Sequence, residues 1–465
     1  MTFPSYPKYK QAGVDWLGDI PKHWWSIPIK YMALAQNSLF LDGDWIESKN
    51  ISSEGIRYIT TGNVGEGIYK EQGAGFISEQ TFQSLGCTQV YPGDVLISRL
   101  NAPIGRACIA PDLGGSVVTS VDNVIFRPDS IFNRKFIVYL FSSEGYFKHT
   151  SNLARGATMQ RISRGLLGNI RVAVPSCEEQ TQIARFLDYE TTRIDALIKE
   201  QQRLIDLLKE KRQAVISRSV TKGLYSAAPM KDSGVEWLGK VPAHWETTRL
   251  RRICVEINDI NHLMPVAVDS GVPFLSAKDL LDDGTLNFTT DIKMISESDF
   301  FALSKKICPR RGDIIYSRIG ACLGKARLVE TDERFLVSYS CCVVRVMESV
   351  ACPRFIQHLL DGEMMLTEAK MRTQGIGVPD LGLGEIGRFP IALPPIREQQ
   401  EIARYLDDKA VKFDTLTAQA KRATDLLQEH RSALISAAVT GKIDVRGWQP
   451  PDGKQTPVKE LDEAV

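Results

Sequence analysis

AGVDWLGDIPKHW at residues 12–24 returns as SGVEWLGKVPAHW at residues 233–245, with eight of thirteen positions identical at an offset of 221. EQTQIARFLD (179–188) returns as EQQEIARYLD (398–407), seven of ten identical at an offset of 219. A period near 220 is far longer than the roughly 20–50 residues of a solenoid repeat. It marks a duplicated domain. Duplication can place two similar surfaces about a pseudo-two-fold axis, and a DNA duplex is a familiar target with that symmetry.

The inner parts of the two copies match in places. PGDVLISR (92–99) aligns with RGDIIYSR (311–318), and Gly105 and Ala107 align with Gly324 and Ala326. Short apolar runs bounded by turn residues read as strands: DVLIS (94–98), NVIFRP (123–128), DIIYS (313–317) and CCVVRV (341–346). Other stretches diverge almost completely, such as YITTGNVGEG (58–67) against FLSAKDLLDD (274–283). A shared frame with rewritten loops suits two globular domains, 1–175 and 231–394, that do one job on different targets. The expected class is mixed α+β.

Each domain is followed by a long helix. Pro175 closes the first domain, and Ser176 with Glu179 forms an S-x-x-E capping box. Neither Pro nor Gly interrupts the chain before Gly223. Leu187, Ile194, Leu208 and Val215 fall seven residues apart or a multiple of seven. Leu197 and Leu204 supply intervening positions, and Ile198 and Ile205 widen the stripe. The second helix starts at Pro394–Pro395 and stops at Gly441, with Leu406, Phe413, Leu416, Leu427 and Leu434 on the expected seam. The expected spans are 176–226 and 395–443, about 65 Å each at ~1.5 Å per residue. A heptad-like face needs a partner, and the obvious partner of one helix is the other. The tail 444–465 has little pattern and is expected to be mobile.

At 465 residues, 43% hydrophobic and 24% charged, the chain is sized for two to four domains of ordinary composition. The nine Cys show no C-x-x-C and no matched spacing with the six His, which reads as buried free thiols in a reducing compartment. The N-terminus lacks the layout of a signal peptide, and apolar runs stay well short of about 18 residues. The expected location is cytoplasmic.

Enzyme signatures fare poorly. Gly382-Leu383-Gly384-Glu385-Ile386-Gly387 spells G-x-G-x-x-G, but it precedes FPIAL and Pro394–Pro395 rather than joining a strand to a helix. The matched stretch SRGLLG (163–168) lacks the pattern. The loop 320–326 is one residue short of a phosphate loop and lacks its Ser/Thr. LPPI (393–396) is not the Pro-Pro-aromatic signature of amino-methyltransferases. His23 and His244 recur in Pro-x-His-Trp strings that read as packing corners. Neither a catalytic constellation nor a metal-ligand set appears in both copies.

What remains points to nucleic acid. Residues 134–171 hold seven Lys/Arg and one acid, a basic field suited to phosphates. Arg99 and Arg318 occupy matching Ser-Arg steps after predicted strands, and Arg can bridge phosphates or read guanine. The candidate DNA contacts are Asn63, Arg99, Arg106, Arg155, Arg161 and Arg164 in the first copy, and Lys278, Arg318 and Lys325 in the second.

The doubled pattern is similar to one family. Each variable domain ends in a short strand and a Pro-bearing step, RVAVPSCEEQTQIARFLD or FPIALPPIREQQEIARYLD. A long helix follows, ending in SRSVTKGL or SAAVTGKI. The Gly-Val-acid-Trp-Leu-Gly-x-x-Pro-x-His-Trp lead-in opens each unit. From about residue 12 to 443 the chain resembles the DNA-specificity subunit of type I restriction–modification systems. The first copy departs from the family's Leu-Pro-Pro step with VPS. The resemblance implies two target recognition domains, each reading one half of a bipartite sequence, and two long helices packed antiparallel as a spacer. It implies two modification subunits that carry S-adenosylmethionine and methylate adenine. Restriction subunits using ATP and magnesium can join. The chain itself would catalyse nothing and hold no cofactor. Three alternatives stay open: a specificity subunit of a related restriction class, a motif-poor methyltransferase or nuclease, and a scaffold or anti-restriction decoy without sequence preference.

Overall fold

The computed structural model describes residues 3–72, 75–262, 264–373 and 377–451. The chain divides into two compact units, residues 202–422 and the remainder on either side of them. The division falls inside both long helices, so each unit owns half of each.

The apolar runs become central strands buried on both faces. In the first unit the strands Leu39–Asp42, Asn123–Arg127, Val95–Ser98 and Ala107–Ile109 form an antiparallel sheet in that order. Side chains alternate along it. Val95, Ile97, Val124 and Phe126 join the core beside the helices, with Phe136, Phe141, Phe186 and Leu187. Leu96 and Ile125 face a second core with Ile59, Val64 and Val117. A strand covered on both faces needs no polar alternation, which is why the sequence shows unbroken runs. A second sheet supplies the other cover, with Val117–Thr119 parallel to Ile56–Ile59.

The second unit repeats the arrangement with Cys254–Asn258, Cys341–Val346, Ile314–Ser317 and Ala326–Leu328. Ile314, Tyr316, Cys342 and Val344 face the helix side. Ile315, Cys341 and Val343 face the second sheet, where Val272–Leu275 runs parallel to Leu336–Val337. The frame matches down to an ion pair. Arg127 Nη2 meets Asp94 Oδ2 at 2.6 Å, and Arg345 Nη2 meets Asp313 Oδ2 at 2.7 Å. Both carboxylates follow a glycine at φ +89°, Gly93 and Gly312, a left-handed turn that explains the repeated Gly-Asp.

The long helices are Cys177–Lys222 and Ile396–Val439, 46 and 44 residues. Within the first unit Gln182 Nε2 donates to the carbonyls of Val445 and Trp448, and Arg431 Nε donates to Asp195 Oδ1 at 2.8 Å. Within the second, Tyr225 OH donates to Glu401 and Arg212 Nη1 to Asp414 Oδ1. In both units one helix advances as the other retreats, so the packing is antiparallel. Leu187, Ile194, Leu208, Leu406 and Leu434 are buried, while Phe413 and Leu427 are half-buried. Three expected seam residues are not on it: Leu197, Leu204 and Leu416 are exposed. Ile198, Ile205 and the buried Ala420 take the space instead. Ala420 completes the series 413–420–427, which the spacing held but its small size hid.

Ser176 caps the first helix, accepting from Glu179 N–H at 3.4 Å. The reciprocal half of the box is replaced. The Glu179 carboxylate accepts from Tyr6 OH (2.6 Å) and Trp24 Nε1 (3.1 Å) and meets His23 Nε2 (2.9 Å). Glu398 does the same with Trp245 (3.2 Å) and His244 (2.8 Å). The recurring His-Trp corner is therefore a joint between lead-in and helix. The expected mobile tail is anchored at its start: Val445 is buried, and Trp448 stacks edge-on against Phe186. Residues 452–465 lie outside the described residues. Of the nine free cysteines only Cys108, Cys341 and Cys342 are buried, and Cys177 is exposed. The G-x-G-x-x-G stretch forms a short helix, Leu383–Gly387, that leads into a strand, the reverse of a dinucleotide site.

Candidate nucleic-acid interface

The loop after each central strand is held from inside by its arginine. Arg99 is 4% exposed. Its guanidinium donates to the carbonyls of Ile162 and Val121, and Nε lies 3.0 Å from Asp42 Oδ1. Burial pulls its pKa below the ordinary value, and Asp42 opposes that shift. Arg318 is also 4% exposed. It donates to Asp259 Oδ2 at 2.7 Å, Asp380 Oδ1 at 2.8 Å and the carbonyl of Leu381 at 3.4 Å. Burial works to raise the Asp259 pKa, but hydrogen bonds from Lys306 and Arg318 hold it below the usual carboxylate range. Both guanidiniums are buried and bonded to neighbouring loops. Both residues are corrected from DNA readers to internal braces.

Arg106 and Lys325 occupy matched positions and do matched work. Arg106 donates to the carbonyls of Val64 (2.7 Å), Thr61 (2.8 Å), Leu100, Asn101 and Pro103. Lys325 donates to Leu280 O at 3.3 Å and pairs with Asp282 at 2.5 Å. Each ties the divergent loop to the loop after the central strand. Asn63 is buried in a short turn. It accepts from Thr60 N–H at 2.9 Å and donates to Lys70 O at 3.0 Å. Asp279 repeats this with Ser276 N–H at 2.8 Å. These three expected contacts are loop staples too.

Four candidates stay accessible. Arg155 is exposed. Arg161 and Arg164 are 42% and 40% exposed at the side chain and lie 2.9 Å and 3.8 Å from Asp122 and Asp42. Lys278 is exposed beside the exposed Asp291, 3.4 Å away. Such partly exposed pairs contribute little to stability.

The model of the type I restriction modification DNA specificity domain matches twice, at residues 38–206 and 245–423. The chain belongs to the type I restriction–modification DNA specificity family. It is 21% identical over 398 residues to a putative type I restriction enzyme MjaX specificity subunit of Methanocaldococcus jannaschii, covering 80% of this chain and 83% of that one. It is 22% identical over 378 residues to the EcoBI specificity subunit of Escherichia coli, covering 77% and 75%. In fold it is similar to a chain solved in work on complex assembly and conformational transition of the type I R-M system. That TM-score is 0.67 at 16% identity, over 90% of this chain and 98% of that one. The HsdS subunit from Thermoanaerobacter tengcongensis gives a TM-score of 0.52 at 18% identity, over 91% and 98%.

A specificity subunit needs surfaces for partners as well as for DNA, and sequence reading missed one signal. Leu426 in the first unit and Leu207 in the second are exposed, like Leu197 and Leu416. Leu197 matches Leu416, and Leu207 matches Leu426, both at the offset of 219. Each unit thus exposes an equivalent pair of leucines from the two helices. Comparing the repeats for leucines that recur at the offset of 219 along both helices would have found them.

Proposed function

We propose that this chain is the non-catalytic DNA-reading subunit of a type I complex, with each unit reading one half of a bipartite target. The observation that carries this is the frame itself. Two units share strands, ion pair and loop staples, yet carry unrelated loops around 58–67 and 274–283. A common scaffold with different loops is how one fold reads different sequences. The helices act as spacer between half-sites. S-adenosylmethionine, ATP and magnesium belong to partner subunits. Mapping methylated adenines in the host genome by single-molecule sequencing tests the assignment. Deleting this chain should abolish methylation at one bipartite motif, and an unchanged map would refute it.

The equivalent leucine pairs support two modification subunits per chain, one per unit, since an exposed apolar pair on a helix face is a docking feature when it recurs by symmetry. Replacing Leu197 and Leu426 together by Glu should reduce the co-purified modification subunits from two to one, read by native mass spectrometry. The Leu416/Leu207 double variant should do the same, and all four changes should leave none. Two subunits retained in the quadruple variant would remove the leucines from the docking surface.

A further inference from the structure

Residues 155–161 form a short hairpin whose stems exchange backbone bonds, Arg155 N–H to Arg161 O and the reverse, both 2.9 Å. Gly156 makes the turn at φ +113°, and a Cβ there would stand 2.4 Å from Met159 O. A side chain at this position does not fit. The second stem is tied to the loop after the central strand. Asn101 N–H donates to Gln160 O and Ile162 N–H to Arg99 O, each at 3.0 Å, and Arg99 Nη1 returns a bond to Ile162 O at 3.1 Å. The buried arginine thus fixes this hairpin. The second unit repeats the docking: Gly320 N–H donates to Pro379 O and Leu381 N–H to Arg318 O, each at 3.0 Å.

At one matched position on these clamped segments stand Met159, 57% exposed, and Val378, 67% exposed. Single exposed apolar side chains are commonplace. Recurrence in both units, each time next to a segment clamped at a buried arginine, sets this pair apart. The surrounding charge differs between copies. Residues 134–171 carry seven Lys/Arg and one Asp/Glu, whereas the matched 353–390 carry four and five. Arg155, Arg161 and Arg164 flank Met159 in sequence, whereas the matched positions of the second copy are Gln374, Asp380 and Leu383.

We propose that Met159 and Val378 are apolar wedges pressed against base steps of their half-sites, and that Arg155, Arg161 and Arg164 also clamp the first half-site through phosphates. This rests on the DNA-reading function above. Apolar side chains such as Met can insert between base steps, partly unstacking them and kinking the duplex. An enzyme that methylates a base must draw it from the stack, so a wedge supplied by the reading subunit assists its partner. The charge imbalance makes binding of the first half-site more salt-sensitive than binding of the second.

The test uses the complex of this chain with modification subunits, and a duplex bearing the target found by methylation mapping. 2-Aminopurine is placed at successive steps of each half-site. Fluorescence should rise at a step in both halves with the natural chain. Met159→Ala should abolish the rise in the first half alone, and Val378→Ala in the second alone, with Kd changed less than tenfold. Undiminished fluorescence in either variant overturns its wedge. Arg155→Gln should reduce the slope of log Kd against log salt by about one, and an unchanged slope overturns the clamp. Natural complex that binds mapped and scrambled duplexes equally would overturn the DNA-reading function itself, a result distinct from normal binding without a fluorescence change.

Discussion

Exchanging residues 29–170 for the matching segment of a relative should rewrite one half of the methylated motif and leave the other half untouched. The cut points are favourable because the ends of the segment are neighbours. Trp25–Pro28 pairs antiparallel with Arg171–Val174, with Pro28 opposite Arg171. The new segment enters and leaves through one two-stranded ribbon, and the lead-in joint at Glu179 keeps its partners Tyr6, His23 and Trp24. Each base pair changed in a site costs about 1–3 kcal/mol. A half-site differing at three pairs should therefore lose binding by a factor of at least about 100. Methylation mapping in cells carrying the exchanged chain reads the outcome. Changes in both halves would mean that the units do not read independently.

Arg318→Ala should destabilise the second unit by about 3–5 kcal/mol, a loss set by the buried Asp259 carboxylate left behind. Lys306 still holds the other oxygen of Asp259 at 2.7 Å, which favours the lower end of that range. The pair's contribution is present above about pH 4, the ordinary aspartate value. It is lost as pH falls through the depressed pKa of folded Asp259. Urea unfolding should show the earlier of two transitions moving to lower denaturant at pH 7, and the gap between variant and natural chain closing in acid. A variant of natural stability with relaxed preference in one half-site would instead make Arg318 a base reader.

These expectations show where sequence reading stops. The duplication, the strands and the long helices were legible because each leaves a local pattern: matched strings, unbroken apolar runs, heptad spacing. The role of Arg318 was not. A Ser-Arg step after a strand looks the same whether the guanidinium faces DNA or the interior. What decides it is Asp259 and Asp380, 59 and 62 residues away along the chain. Glu179 fails in the same way. Its local pattern describes a capping box, but Tyr6, 173 residues distant, and the His23–Trp24 corner claim the carboxylate. Leu197, Leu204 and Leu416 obey heptad-like spacing and still face outward, since spacing alone does not say which of two adjacent stripes the partner covers.

The interleaving of the two units also sets an order of events during synthesis. The second unit is a continuous stretch, 202–422, and can close its core as soon as the ribosome has released it. The first unit begins at the N-terminus yet needs residues 423–448. Tyr9 OH donates to Gly441 O across 432 residues, and Leu434, Ile435 and Val445 fill the same core as Ile20 and Trp24. The half that emerges first is therefore completed last. Until residues 423–448 have been made its apolar surface stays open, and a chain cut short before them strands the domain made first rather than the one made last.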